Sequence, residues 1–204
     1  FDLQDVCCWP GAPDFWIVKL DSNFNIEWQK LIGSNVAGDI PANIFCNPDT
    51  SYTIFGQVGS NTDDCLCNHS SSQDIWMIIV DEIGNIISQK CFGGSSYDLL
   101  NNISKCEDSG YIIGASSGSY DGDVGIHYGS PFSHDAFIVK TDALGNIEWT
   151  KTLGGSGYDG AWVAGISQNR CLISINTSST DYDLEGMVPV GESSGRLLML
   201  VDED

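Results

Sequence analysis

The sequence predicts an all-β chain, a propeller-like array of four-stranded antiparallel blades with three repeats of about 60 residues plus an extra strand. Three observations predict it. Gly, Ser, Asn and Asp are abundant, while the apolar runs are short and rich in Ile, Val, Trp, Phe and Tyr, which favours short strands joined by tight turns. One run recurs as DFWIVKLD from Asp14, DIWMIIVD from Asp74, DAFIVKTD from Asp135 and GRLLMLVD from Gly195, at intervals of 60, 61 and 60 residues. Each of the first three copies is followed by the same succession of turns and apolar runs.

Within a repeat the runs are taken in chain order, A to D. Run A carries Trp16, Trp76 and Phe137 in one column, with Ile17, Ile78 and Ile138 near the same core. Its nearly continuous apolar character predicts strands buried on both faces. The turns DSNFN, DEIGN and DALGN follow, in which Asp bonds to nearby backbone and Gly or Asn accepts positive φ. Phe24 stands where the other copies have Gly84 and Gly145, and Asn25 is expected to help carry the turn there. Run B is NIEWQKLIG, NIISQKCFGG and NIEWTKTLGG; Trp28 and Trp149 share a column that Ser88 breaks. A Gly-rich turn then ends in Asp39, Asp98 or Asp159. Run C lies around 42–46, 100–106 and 162–167, and run D is YTIFGQ, YIIGAS and CLISIN. A polar loop returns to the next run A.

Four strands in this length make one blade, and a blade buries both faces only when others stack on it. The expected organisation is a single repeat domain over 1–204, with repeats at 14–73, 74–134 and 135–194 and an extra strand at 195–204. The spare strand implies that the chain continues, closes a ring across its termini, or pairs with another chain or further repeats through its edge. Opening at FDLQDVCCWPG, the sequence reads as a mature or trimmed chain, or one segment of a longer protein.

Charge narrows the function classes. With 28 acidic against 8 basic residues, the net charge of −20 argues against nucleic acid and against an anionic membrane surface. No apolar run approaches the roughly 20 residues that span a bilayer, so no membrane insertion is expected. An acidic chain suits cations or a neutral partner such as a glycan. Eight cysteines in a Lys-poor β chain suggest disulfides and an extracellular or cell-surface location. Sequons at Asn68, Asn102 and Asn176 fit that setting.

The stretches DAFIVKTDALGNIEWTKTLGGSGYD and GYIIGASSGSYDGDV resemble the tandem propeller-like repeats of secreted Bacteroidota surface proteins, associated with type IX secretion. The resemblance covers essentially the whole chain. It implies a role in cell-surface adhesion, binding or scaffolding. The many cysteines, and a first repeat without GG or GN, depart from the family pattern.

Several constellations are candidates for chemistry. Cys7 and Cys8 precede the first run A, and Cys65 and Cys67 precede the second, which predicts two cross-blade disulfides. A four-thiolate metal site is the alternative, although the spacing is not the C-x2-C pair of common zinc sites. Cys91 and Cys106 are expected to face each other across a hairpin, leaving Cys46 and Cys171 as buried thiols. Asp121 and Asp123, with Asp181 and Asp183, offer hard oxygen ligands for calcium, the one cofactor suggested; Asx-turns and solvated carboxylates are the competing reading. Asp98 and Asp159, like Asp39, either fix their turns by accepting backbone N–H groups or line a sugar pocket with Tyr97, Tyr158 and Trp162. The histidines His69, His127 and His134 all fall in loops, and no G-x-S-x-G elbow occurs. The reading is a non-enzymatic module for adhesion, binding or assembly, with a glycan-binding propeller as the alternative and a hydrolase with a carboxylate pair behind it.

Overall fold

The computed structural model describes residues 14–34, 38–59, 63–67, 69, 72–130, 132–167, 170–188 and 192–202. The chain is all-β and antiparallel. Its strands are β1 (Phe15–Leu20), β2 (Ile26–Ile32), β3 (Ile40–Cys46), β4 (Tyr52–Val58), β5 (Asp74–Val80), β6 (Ile86–Phe92), β7 (Asp98–Lys105), β8 (Tyr111–Ser117), β9 (Asp135–Thr141), β10 (Ile147–Leu153), β11 (Asp159–Ser167), β12 (Arg170–Thr177) and β13 (Gly195–Asp202). They form sheets in the orders β1-β2, β3-β4-β5-β6, β7-β8-β9-β10 and β11-β12-β13. A 3-10 turn covers Tyr182–Leu184.

The sheets are cut half a repeat away from the sequence repeats. Each four-stranded sheet takes runs C and D of one repeat and runs A and B of the next. A period has no origin, so its recurrence could not locate the cut. The order explains the apolar pattern: D and A are the two central strands. Every residue of β5, β8 and β9 is buried, whereas the outer strands β6 and β10 are largely half-buried or exposed. The expectation that run A is buried on both faces therefore holds for β5 and β9. It fails for β1, in a two-stranded sheet, and for β13, an edge strand. The extra strand pairs within the chain, along β12 from Arg170↔Asp202 to Thr177↔Gly195.

The A–B turns follow the sequence closely. Asp21, Asp81 and Asp142 each accept the backbone N–H and the side-chain amide of the Asn four residues on, at 2.8–3.0 Å. Gly84 and Gly145 have φ of 83° and 79°, and Phe24 adopts φ 62° in the same place. The Asp21–Asn25 clasp thus holds a bulky residue in the left-handed region.

The chain divides into two compact units, Phe1–Cys91 and Phe92–Asp204, where the repeat pattern suggests one domain. In the first unit β1-β2 lies against the β3–β6 sheet. Phe15 and Ile32 join Ile54, Val58, Trp76, Ile78 and Val80 in one core. The Phe15 and Trp76 rings are 5.3 Å apart. Trp76 donates Nε1–H to Gln89 at 3.2 Å, and Trp28 donates to the Glu82 carbonyl at 2.8 Å. In the second unit β11–β13 covers one face of the β7–β10 sheet. Ile112, Ala136 and Ile138 meet Ala161, Val163, Ile173 and Ile175, with Leu197, Met199 and Val201 packed alongside.

That second interface is also polar. The Asn102 amide donates to the Val163 carbonyl at 2.6 Å and accepts the Val163 N–H at 2.7 Å, and Asn101 donates to the Ala161 carbonyl at 2.9 Å. A Cβ on Gly114 would meet the Ala161 carbonyl oxygen at 2.8 Å, so glycine sets the sheet spacing there. Asn102, one of the three sequons, is engaged in this contact through its side-chain amide. Lys140 is buried on the central strand β9 and pairs with Asp108 at 2.6 Å and Glu148 at 2.7 Å. Desolvation acts against its charge, but these two carboxylates outweigh that and raise its pKa.

The disulfide pairing differs from expectation. Cys67 bonds to Cys91, with Cα atoms 5.4 Å apart. Cys67 is therefore no partner for Cys7 or Cys8, both of which lie outside the described residues. Nor is Cys91 bonded to Cys106: β6 and β7 belong to successive sheets rather than one hairpin, and Cys106 is buried with Cys171 in the core of the second unit. Cys46, expected as a buried thiol, is exposed.

Candidate functional site

The Gly-rich turns are built around their closing aspartates. Asp98 is fully buried; it accepts the Gly94 N–H at 2.7 Å, the Ser119 hydroxyl at 2.9 Å and the Ser117 hydroxyl. Asp159, also buried, accepts the Gly155 N–H at 3.0 Å and the Ser179 hydroxyl at 2.7 Å. Asp39 is held likewise by the Ser34 N–H, the Ser34 hydroxyl and the Gly59 N–H. Each carboxylate ties the turn before run C to the residues after run D. Asp98 and Asp159 thus hold their turns together, as the first of the two readings of their recurrence has it.

The acidic loops do similar work. Asp121 accepts the Ser95 N–H at 2.7 Å, Asp123 the Gly93 N–H at 3.3 Å, and Asp181 the Ser156 N–H at 2.8 Å. Among the described residues, the set of three His, Cys, Asp or Glu donors with ligand atoms within 4.8 Å of one another is Cys65, Cys67 and Cys91, not these aspartates. Two of those sulfurs are joined in the disulfide.

The exposed aromatics are separated. Tyr97 and Tyr158 are exposed at the starts of β7 and β11, in different sheets, and Trp162 is half-buried on β11. Tyr158 alone of the predicted ligand residues lines a groove of about 430 Å3, with Asn176, Thr177, Ser178, Ser194, Gly195 and Arg196. The groove sits where β11 begins, β12 ends and β13 begins. The Asn176 side-chain oxygen accepts the Arg196 Nε–H at 2.7 Å, which holds the guanidinium in place. The Tyr158 ring stacks on His134 with centroids 5.1 Å apart, and the His134 carbonyl accepts the Asp159 N–H at 2.6 Å. An aromatic face, amide and hydroxyl groups and one fixed cation suit a polyhydroxylated or anionic ligand.

Next to His134 is a buried polar cluster. Asp135 accepts the Tyr128 N–H at 2.6 Å and lies 3.4 Å from His127 Nδ1, while its other oxygen has no hydrogen-bond partner. One oxygen each of Asp159 and Asp183 is also buried without a hydrogen-bond partner. Burial pushes the Asp135 carboxyl up to about 6; the Tyr128 N–H and His127 oppose this, and Asp159 and Asp183 add to it. Burial and His127 together lower the His134 pKa.

A sign follows for stability. An acid whose folded pKa is raised contributes most at low pH, and that contribution is lost as pH rises from about 4, the unfolded value, through its folded value. Asp135→Asn removes the titration. The melting temperature of the variant relative to the parent should therefore climb between about pH 4 and about 6, the range spanned by the two pKa values. Parallel melting curves across that range would remove Asp135 from the pH response.

Sequence reasoning did not single out Arg196, Asn176 or Asp135 for the site. Asp135 had a signal, since it opens the same run as Asp14 and Asp74. Arg196 had a weaker one: the chain has two arginines, both within its last 35 residues. No protein-family model matches the sequence, and a search of curated proteins finds no match.

Proposed function

We propose that the chain is a propeller-like, non-enzymatic extracellular module for adhesion, binding or assembly. The observation that carries this is the division of labour between its recurring columns and its surface. The recurring aspartates are buried in turns, whereas Asn176 and Arg196 of the groove are not repeated, and they stand at one sheet end beside Tyr158, whose counterpart in the preceding repeat is Tyr97. A repeated scaffold with a local, non-repeated recess is the arrangement of a binding protein. The Cys67–Cys91 disulfide supports an oxidising, extracellular setting. The resemblance to secreted Bacteroidota repeats points the same way.

A glycan ligand is favoured by the groove lining. Tyr158 offers a face for a sugar ring, and Arg196 with Asn176 offers hydrogen bonds to hydroxyl or carboxylate groups. A screen of neutral and acidic glycans tests it. Binding of an acidic sugar that Tyr158→Ala weakens at least about tenfold, roughly 1.4 kcal/mol, with unchanged circular dichroism, is the expected result. Binding indifferent to Tyr158 would move the ligand away from this groove.

A further inference from the structure

The two sheet interfaces inside the units obey one rule. In the first unit, the face of β1 carrying Phe15 and Ile17 packs on the face of β5 carrying Trp76, Ile78 and Val80. In the second, the face of β9 carrying Ala136 and Ile138 packs on the face of β13 carrying Leu197, Met199 and Val201. Odd and even positions of run A thus belong to two kinds of face, and each internal contact joins one of each kind.

One face of each kind is left open. On β13 the opposite side carries Arg196, Leu198 and Leu200, with the two leucines 62% and 71% exposed. On β12 the same side carries Arg170 and Leu172. On β1 the open side carries Trp16, 63% exposed. Trp16 is the column mate of Trp76, which is fully buried, and makes the same Nε1–H bond, to Gln29 at 3.3 Å. By the repeat spacing, Arg196, Leu198 and Leu200 hold the columns of Phe15, Ile17 and Lys19, the first two of which pack toward Trp76 in the internal contact.

We propose that the open face of β12-β13 in one copy stacks on the open face of β1-β2 in a second copy, head to tail. Three features carry this. The faces are of the complementary kinds already joined inside each unit. Arg196 stands in the column from which Phe15 reaches Trp76, and a guanidinium stacks well on an indole. Both arginines of a chain with net charge −20 lie on the face that would meet another acidic copy. The contact is heterologous, so the same joint repeats from copy to copy. It goes beyond the binding function proposed above and does not need the groove. Arg196 borders both, so the assembly is tested through the leucines and the glycan reading through Tyr158.

The experiment is sedimentation equilibrium of the full chain over a range of concentrations, with folding checked by circular dichroism. The parent should rise above the 22.0 kDa monomer mass as concentration increases. Leu198→Asp/Leu200→Asp and Trp16→Asp should each remain monomeric with an unchanged spectrum, because the replaced side chains are exposed. An equimolar mixture of the two variants keeps one intact face of each kind and should form a species of twice the monomer mass and no larger. The proposal is overturned by a parent that stays monomeric. It is equally overturned by association that survives the leucine changes, as edge pairing along β13 would, or by a mixture that does not associate, as a contact between two like faces would give.

Discussion

Asp98→Ala should cost the second unit about 3–5 kcal/mol, because it strands the buried Gly94 N–H and the Ser117 and Ser119 hydroxyls that the carboxylate now accepts. A domain is stable by about 5–15 kcal/mol, so the variant should sit at the edge of unfolding. Ser119→Ala removes one donor to the carboxylate and the acceptor of the Ser96 N–H but leaves Asp98 its other partners, and should cost about 1–2 kcal/mol. Denaturant midpoints of both variants give the comparison. If Asp98→Ala kept the parent midpoint, the carboxylate would not be holding the turn, and the pocket reading of its column would return. Asp98→Asn sharpens the point: it keeps the shape but sets an amide against groups that need an acceptor, so it should recover only part of the loss.

Much of this architecture was legible in the sequence, and the legible parts share a cause. Run A reads as a central strand because β5 and β9 are covered on both faces, which leaves no polar alternation to find. The A–B turns read in part: the Asp bond to the backbone two residues on is local, whereas the bond from the Asn side chain four residues on was not singled out. What could not be read depends on contacts between distant segments. The phase of the sheets rests on which loop stays within a sheet and which leaves it. The Cys67–Cys91 bond follows from that phase, as does the failure of Cys91 to pair with Cys106. The candidate groove needed β13 beside β12, a pairing of residues about 20 apart that brings Arg196 to Asn176. Composition suggested aromatic and acidic ligand groups. The structure buries Asp98 and Asp159, sets Tyr97 and Tyr158 in different sheets and puts an arginine in the recess beside Tyr158.

Trp76 and Trp16 provide an internal control for what covering a face is worth. Both occupy the same column, and both donate Nε1–H to a Gln on the paired strand, at 3.2 and 3.3 Å. They differ in burial, complete for Trp76 and 63% exposed for Trp16. Trp76→Ala should cost about 3–5 kcal/mol, since it opens a cavity beside Phe15, Ile78 and Val80 and leaves Gln89 without this donor. Trp16→Ala should cost less than about 1 kcal/mol in the monomer, where water already replaces most of its contacts. Denaturant titrations of the two variants at low protein concentration measure this difference. Equal costs would mean that the strand pair itself, rather than the sheet stacked on it, sets the value of the column. The expected inequality assigns the stabilisation to stacking, and it makes Trp16 a residue whose contribution is realised only when another sheet arrives.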